Sequence, residues 1–158
     1  MLLNAAVGIA GETPNVNDFS FTDKDTMPAW LYNQGLLAYE AGIIKGSGTD
    51  GGAAFLPYEK LTRAEAFTML YNIIQEFNTP KPYALTFDDS ASVPDWSLEA
   101  IQNLLGLNII SGFPDNTIRP YGSITRAEAA ALISKADEYM PLPQTLKRYI
   151  TSKMRLYK

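Results

Sequence analysis

Two arginines stand at matched places in a repeated word. The chain reads LTRAEAFTMLYN from Leu61 to Asn72 and ITRAEAAALISK from Ile124 to Lys135. Thr-x-x-Glu ahead of an apolar run is the capping-box pattern, in which Thr62 and Thr125 take the N3 backbone N–H and Glu65 and Glu128 reach back to the cap N–H. This accounts for threonine and glutamate but not for arginine. Arg63 and Arg126 fall at the first helical position, where a cation opposes the helix dipole by about 0.3–1 kcal/mol. Asp, Glu or Pro would serve a helix better there. One explanation pairs each arginine with an acid of a neighbouring repeat, Asp23 and Asp89 being candidates. The other sets a guanidinium beside free helix N–H groups, a combination suited to a carboxylate or phosphate ligand. Residue chemistry leaves both open.

Other chemistries are narrowed by composition. The 158 residues contain no histidine and no cysteine, which removes His-based triads, thiol nucleophiles, thiolate metal sites, histidine-ligated zinc and disulfides. No cofactor or metal is expected. At 46% hydrophobic and 19% charged the chain is of globular type, and no apolar run approaches the roughly 20 residues of a membrane span. The opening MLLNAAVGIAG lacks a basic start and makes a poor signal peptide. All 17 acidic residues lie at or before Glu138 with 8 of the 13 basic ones, a balance of −9. The remaining 5 basic residues (Lys147, Arg148, Lys153, Arg155, Lys158) follow without an acid. So acidic a body argues against nucleic acid as the partner.

The elements that must position the arginines come from an internal repeat. Phe21, Asp23, Pro28, Trp30 and Gly46 recur as Phe87, Asp89, Pro94, Trp96 and Gly112; Pro57, Tyr58 and the first TRAE recur as Pro120, Tyr121 and the second. The three-residue difference in offset falls in a Gly-rich loop, where insertion is tolerated. Each repeat reads as helix, loop, helix. The first helix starts near Pro28 or Pro94, its apolar positions (Trp96, Ala100, Leu104 with Ile101 and Leu105) follow helical spacing, and the second begins at TRAE. Strand signals are weak and short, so the fold class is mainly α. Repeats are expected at 19–79 and 84–140, joined by a linker at Asn78–Tyr83. MLLN at Met1–Asn4 matches MLYN at Met69–Asn72, so 1–18 reads as the end of a preceding repeat. Residues 141–158 read as a basic amphipathic tail, with Leu146, Tyr149, Ile150, Met154 and Tyr157 on one helical face.

The ordered set of Phe-x-Asp, Pro-x-Trp, AGIIKG or LNIISG, an Asp-containing turn, Pro-Tyr and Thr-Arg-Ala-Glu resembles the S-layer homology (SLH) repeat. The resemblance covers about Phe21 to Glu138 and occurs twice in the same order. It implies a non-catalytic anchor at the bacterial cell surface, outside the cell, made of helix-loop-helix repeats in a pseudo-threefold bundle whose first repeat is here incomplete. It further implies an anionic cell-wall polysaccharide, a pyruvylated secondary polymer or a modified peptidoglycan, held in grooves between repeats. By the same resemblance the ligand-binding residues are Arg63, Arg126, Asp23, Asp89, Trp30, Trp96, Gly46 and Gly112. Aspartate can accept sugar hydroxyls, an exposed indole can cover a pyranose face, and glycine lets backbone come close.

Plainer roles stand beside these. The tryptophans fit a helical core stripe, the aspartates could cap the helix that follows, and Gly46 and Gly112 could end the first helix. Asn108 stands where the other repeat has Gly42, and both types accept a left-handed cap. The lengthened loop at Asp50–Ala54 would reshape one groove. Without its own TRAE the first, incomplete repeat supplies no arginine, so another copy of the chain or another repeat could complete the bundle. The tail would dock over the apolar surface so left, or meet a membrane or anionic polymer. The alternative function is a protein-interaction or assembly module without direct glycan binding. A carboxylate-pair glycosidase is disfavoured, because its best acids, Glu65 and Glu128, are already assigned to capping.

Overall fold

A computed structural model of the chain describes residues 20–48 and 52–140. The expected remnant at 1–18, the tail at 141–158 and part of the lengthened loop lie outside the described residues. Four α-helices form: α1 (Ala29–Glu40), α2 (Arg63–Ile74), α3 (Asp95–Gly106) and α4 (Arg126–Ala136). Four single 3-10 turns accompany them, at Lys24–Thr26, Gln75–Phe77, Ser90–Ser92 and Asp137–Tyr139. Among the described residues extended pairing is limited to two isolated antiparallel bridges, Ser47–Ala54 and Thr62–Ser123. The fold is mainly α.

Local sequence explains where the helices begin. Pro28 and Pro94 occupy the N-cap of α1 and α3 at φ −65° and −69°, one residue outside the first turn the sequence suggests. The Pro28 carbonyl accepts from the N–H groups of Leu31 and Tyr32, and that of Pro94 from Ser97. Both TRAE helices start in complete capping boxes, Thr62 with Glu65 and Thr125 with Glu128.

The ends of α1 and α3 correct one expectation. Gly42 and Asn108, at φ +70° and +59°, are the left-handed residues that stop these helices. Ile43 donates to the Ala38 carbonyl and Gly42 to Tyr39; Ile109 donates to Leu104 and Asn108 to Leu105, all at 2.9 Å. This is the paired 6→1 and 5→2 pattern of a Schellman end. Gly46 and Gly112 therefore do not end the helices. A Cβ on Gly112 would overlap the Phe87 ring, so that glycine is where loop backbone crosses an aromatic side chain.

The chain divides into two compact units between Lys60 and Leu61. In the first, Phe21 is buried with Leu36, Leu37, Ala38 and Ile43, edge-on to Tyr32 and Tyr39 and tilted against Phe55. In the second, α2 packs on α3. Phe67, Leu70 and Ile74 of α2 meet Ala100, Ile101 and Leu104 of α3, with Ile109, Ile110 and Ile118 from the following loop closing the core. Each of the Phe, Leu and Ile side chains among them contributes about 1.5–3 kcal/mol by burial. The sequence repeat over 19–79 thus spans two compact units, because the apolar face of α2 finds its partner in the next repeat. The linker is pinned across α3: buried Asn103 accepts from the Lys81 N–H at 2.7 Å and donates to the Glu99 carbonyl at 2.9 Å.

Candidate functional site

The start of α2 leaves no free donor. The Arg63 N–H donates to the Gly122 carbonyl at 2.8 Å and the Ala64 N–H to Pro120 at 2.9 Å. The Glu65 N–H donates to Thr62 Oγ1, and the Thr62 N–H to Glu65 Oε2. The first turn's N–H groups, which usually look for water or a ligand, are all taken, two of them by the Pro-Tyr turn of the following repeat. Free N–H groups beside Arg63 are therefore absent. The reason lies in tertiary packing that no local pattern encodes.

The Arg63 side chain is also engaged. It is 7% exposed, donates from Nε to the Ile118 carbonyl at 3.0 Å and from Nη1 to Glu128 Oε1 at 2.7 Å. Its guanidinium carbon lies 5.0 Å from the centre of the Phe67 ring and 4.6 Å from that of Phe113. Arg63 does pair with an acid of the next repeat, but the acid is the capping glutamate Glu128 instead of Asp89 or Asp23. Burial pushes the guanidinium pKa down, and the Glu128 charge works against that shift. Glu128 in turn is held below the ordinary glutamate value of 4.5, chiefly by the backbone and side-chain hydrogen bonds from Thr125, helped by Arg63 and opposed by partial burial.

Arg126 has the opposite surroundings. It is exposed, and among the described residues neither its side chain nor the N–H groups of Arg126 and Ala127 find a partner. The arrangement expected of both arginines, a guanidinium beside free helix N–H groups, is met at Arg126 alone.

Asp23 and Asp89 are neither helix caps nor free acceptors. Neither makes a side-chain cap to the turn that follows. Asp89 Oδ1 and Oδ2 accept from the N–H groups of Ile118 and Arg119 at 2.9 and 2.8 Å. Asp23 accepts from Phe55 and Leu56, both at 2.9 Å. In each case the carboxylate clamps a left-handed residue just before the Pro-Tyr turn, Arg119 at φ 52° and Leu56 at φ 54°. Desolvation is the largest single influence on the Asp23 carboxyl and raises its pKa, but the hydrogen bonds from Phe55 and Leu56 prevail and leave it below the ordinary value of 3.8.

Trp30 and Trp96 are 68% and 57% exposed, so the core stripe expected of them is corrected. In α3 that stripe runs through Ser97, Ala100, Ile101 and Leu104, and the indole one residue earlier lies to its side. Ser97 replaces it because its hydroxyl donates to the Pro94 carbonyl at 3.0 Å.

A groove of about 290 Å³ opens between α2, the 109–114 loop and α4. Arg63, Phe67, Gly112, Phe113, Glu128 and Lys135 are among the residues lining it. Of the expected binding residues it brings together Arg63 and Gly112 with the capping Glu128; Asp89, Trp96 and Arg126 do not line it. Phe113 and Lys135 were missed by sequence reasoning. A signal for Lys135 existed: Glu128, Ala131, Leu132 and Lys135 recur at helical spacing and share one face of α4.

Residues 86–130 match the family model described as the S-layer homology domain. The chain contains an S-layer homology domain. The matched segment holds the Asp89 clamp, Trp96, Gly112 and the Arg126 capping box. The chain is 36% identical over 107 residues to an amylopullulanase of Thermoanaerobacterium thermosulfurigenes, covering 66% of this chain and 6% of that protein. It is 34% identical over 92 residues to a cellulosome-anchoring protein of Acetivibrio thermocellus, covering 56% of this chain and 20% of that one. Against S-layer protein EA1 of Bacillus anthracis the identity is 30% over 131 residues, 81% and 14% of the respective chains. The chain thus spans a fifth or less of each of these relatives.

Proposed function

We propose that the chain is a non-catalytic anchoring module of the bacterial cell surface that takes a wall polysaccharide in the groove between α2, the 109–114 loop and α4. The observation that carries this reading is the groove itself: an open cleft with aromatic, glycine and charged lining, within the S-layer homology segment and its adjoining helices. Relatives named for cellulosome anchoring and for S-layers support the location. The relatives named as enzymes are far longer than the stretch this chain shares with them. A glycosidase role sits poorly with Glu128, whose depressed pKa and paired oxygens are the reverse of what a general acid needs. Arg126 and the exposed indoles of Trp30 and Trp96 supply further polar and flat apolar surface for a polymer.

Retention on purified wall polysaccharide tests the proposal. Ala131 is exposed and lines the groove, so Ala131→Trp should fill it, keep the helical circular dichroism and abolish retention. Undiminished retention of the folded variant would sink the groove reading. Arg63→Ala is a poor probe, because it removes a structural contact as well.

A second reading, self-assembly or pairing with a further repeat in a threefold arrangement, is favoured by one observation. The α2 start is covered by the Pro120–Gly122 turn, whereas the α4 start is uncovered among the described residues. The turn after Leu56 shares the aspartate clamp and the left-handed residue of the turn after Arg119. A turn of this build from a second copy would fit the α4 start. Ala127→Pro removes one of the free N–H groups at a position where proline is tolerated. Concentration-dependent mass in sedimentation, lost in that variant, is the expected signature; an unchanged monomer at all concentrations would exclude the second copy.

A further inference from the structure

We infer that the basic segment 141–158 docks within its own chain, on the side of α3 where Tyr83 and Leu98 stand with Asp95 and Glu99. This surface is built by α3 together with the linker pinned across it. The Tyr83 N–H donates to the Gln102 carbonyl at 3.0 Å, and Leu98 stands one turn before Gln102 on the same side of the helix. Tyr83 and Leu98 are both exposed, so linker and helix bring two large apolar side chains to one surface. Asp95 and Glu99 continue that side toward the start of α3. Both are exposed, and among the described residues neither is in an ion pair; Glu99 accepts from the Tyr71 hydroxyl at 3.3 Å. The result is an apolar patch with an acidic end.

Three observations name the occupant. The first is where the segment leaves the described residues, just after Met140. The neighbouring Tyr139 donates from its hydroxyl to the Leu107 carbonyl at 2.6 Å, and its own carbonyl accepts from Asn78 Nδ2 at 3.1 Å. The segment therefore departs beside the end of α3 and the first residue of the linker, the two elements that build the patch. The second is reach. Leu98 lies nine residues before Leu107, about 14 Å back along α3, while the segment's eighteen residues in helical form span about 27 Å. The third is a complementary pattern. In sequence, Leu146, Tyr149, Ile150, Met154 and Tyr157 share one helical face, with Lys147, Arg148, Arg155 and Lys158 mostly elsewhere. Running from the end of α3 toward its start, the segment carries Arg155 and Lys158 to the acidic end of the patch. Lys81 stays at the other end, where its carbonyl lies against Gly106. Between Leu61 and Met140 stand ten acidic and five basic residues, a balance of −5, which the segment's five basic residues offset. An anionic membrane would attract the segment but repel the acidic body tethered to it.

Amide hydrogen exchange of the whole chain, read by mass spectrometry at low salt, tests the docking. In wild type the amides of 145–157 should exchange at least about tenfold more slowly than in an unstructured chain, at every protein concentration. Leu98→Asp places a charge in the apolar part of the patch and should abolish that protection, with the protection of α2 unchanged as the check on folding. Reversing the two acids, Asp95→Lys with Glu99→Lys, is the second variant and should cut the protection about tenfold, an effect that added salt narrows. Segment amides exchanging at the unstructured rate in wild type overturn the proposal. Protection that survives both folded variants overturns it too, since the segment then lies elsewhere. Protection that appears only as protein concentration rises assigns the segment to a second copy and overturns docking within the chain.

Discussion

Arg63→Met tests whether the TRAE arginine is primarily a tie between repeats. Methionine keeps the length and apolar stem while removing charge and donors. The Ile118 carbonyl loses a cationic donor at 3.0 Å, about 1.5 kcal/mol. The Glu128 contact at 2.7 Å is partly screened, since that side chain is 35% exposed, and is worth about 1 kcal/mol. Stacking on Phe67 and Phe113 adds about 0.5–1 kcal/mol each, of which a thioether recovers a part. No longer burying a guanidinium offsets some of the loss, leaving a net destabilisation of about 2–3 kcal/mol. Urea unfolding followed by circular dichroism reads it as a lowered midpoint at unchanged slope. Arg126→Met, at an exposed site, should stay within about 0.5 kcal/mol of wild type. The double variant Arg63→Met/Glu128→Gln should show a coupling of about 1 kcal/mol. Equal and small effects at the two arginines would refute the reasoning and restore Arg63 as a ligand residue.

Asp89→Ala strips the acceptor from two N–H groups and frees the left-handed Arg119; it should cost about 2–3 kcal/mol in the same urea assay. Gly112→Ala places a methyl on the Phe87 ring and should cost about 1–3 kcal/mol, with Gly112→Ser no better. Because the folded pKa of Glu128 lies below its ordinary value of 4.5, its contribution is present above that pH and is lost as pH falls through the folded value. The gap between wild type and Glu128→Gln should thus be full at pH 7 and close below about pH 4.5; a gap that stays constant to pH 3 would contradict the assignment. Trp96→Ala, with its indole 57% exposed, should change stability by less than about 1 kcal/mol, measured by thermal melting.

What could be read from the sequence was local. Thr-x-x-Glu marks two helix starts, proline marks two others, and Gly42 with Asn108 sit where left-handed ends form. The reading failed where a partner lay far along the chain. Asp89 meets N–H groups 29 and 30 residues away, so its loop-clamping role looks like a cap from nearby residues. Trp96 fits helical periodicity, but only packing shows that the buried stripe passes through Ser97. Arg63 finds Glu128 65 residues on. That pairing had a sequence shadow, since arginine and glutamate recur in one word at a fixed repeat offset.

The two TRAE segments share a sequence and differ in what covers them. At α2, backbone donors and guanidinium are taken by the following repeat: carbonyls of Pro120 and Gly122, the Ile118 carbonyl and Glu128. At α4 the same donors have no receiver among the described residues. The word therefore acts as a connector whose far half is supplied by the next repeat, which explains why arginine persists at a position where the helix dipole disfavours it by about 0.3–1 kcal/mol. The connection also forms one wall of the groove, since Arg63 and Glu128 both line it. Joining repeats and shaping a cleft are then one act of packing, while a position outside the word differs between the repeats: Lys135 lines the groove where the other repeat has Asn72.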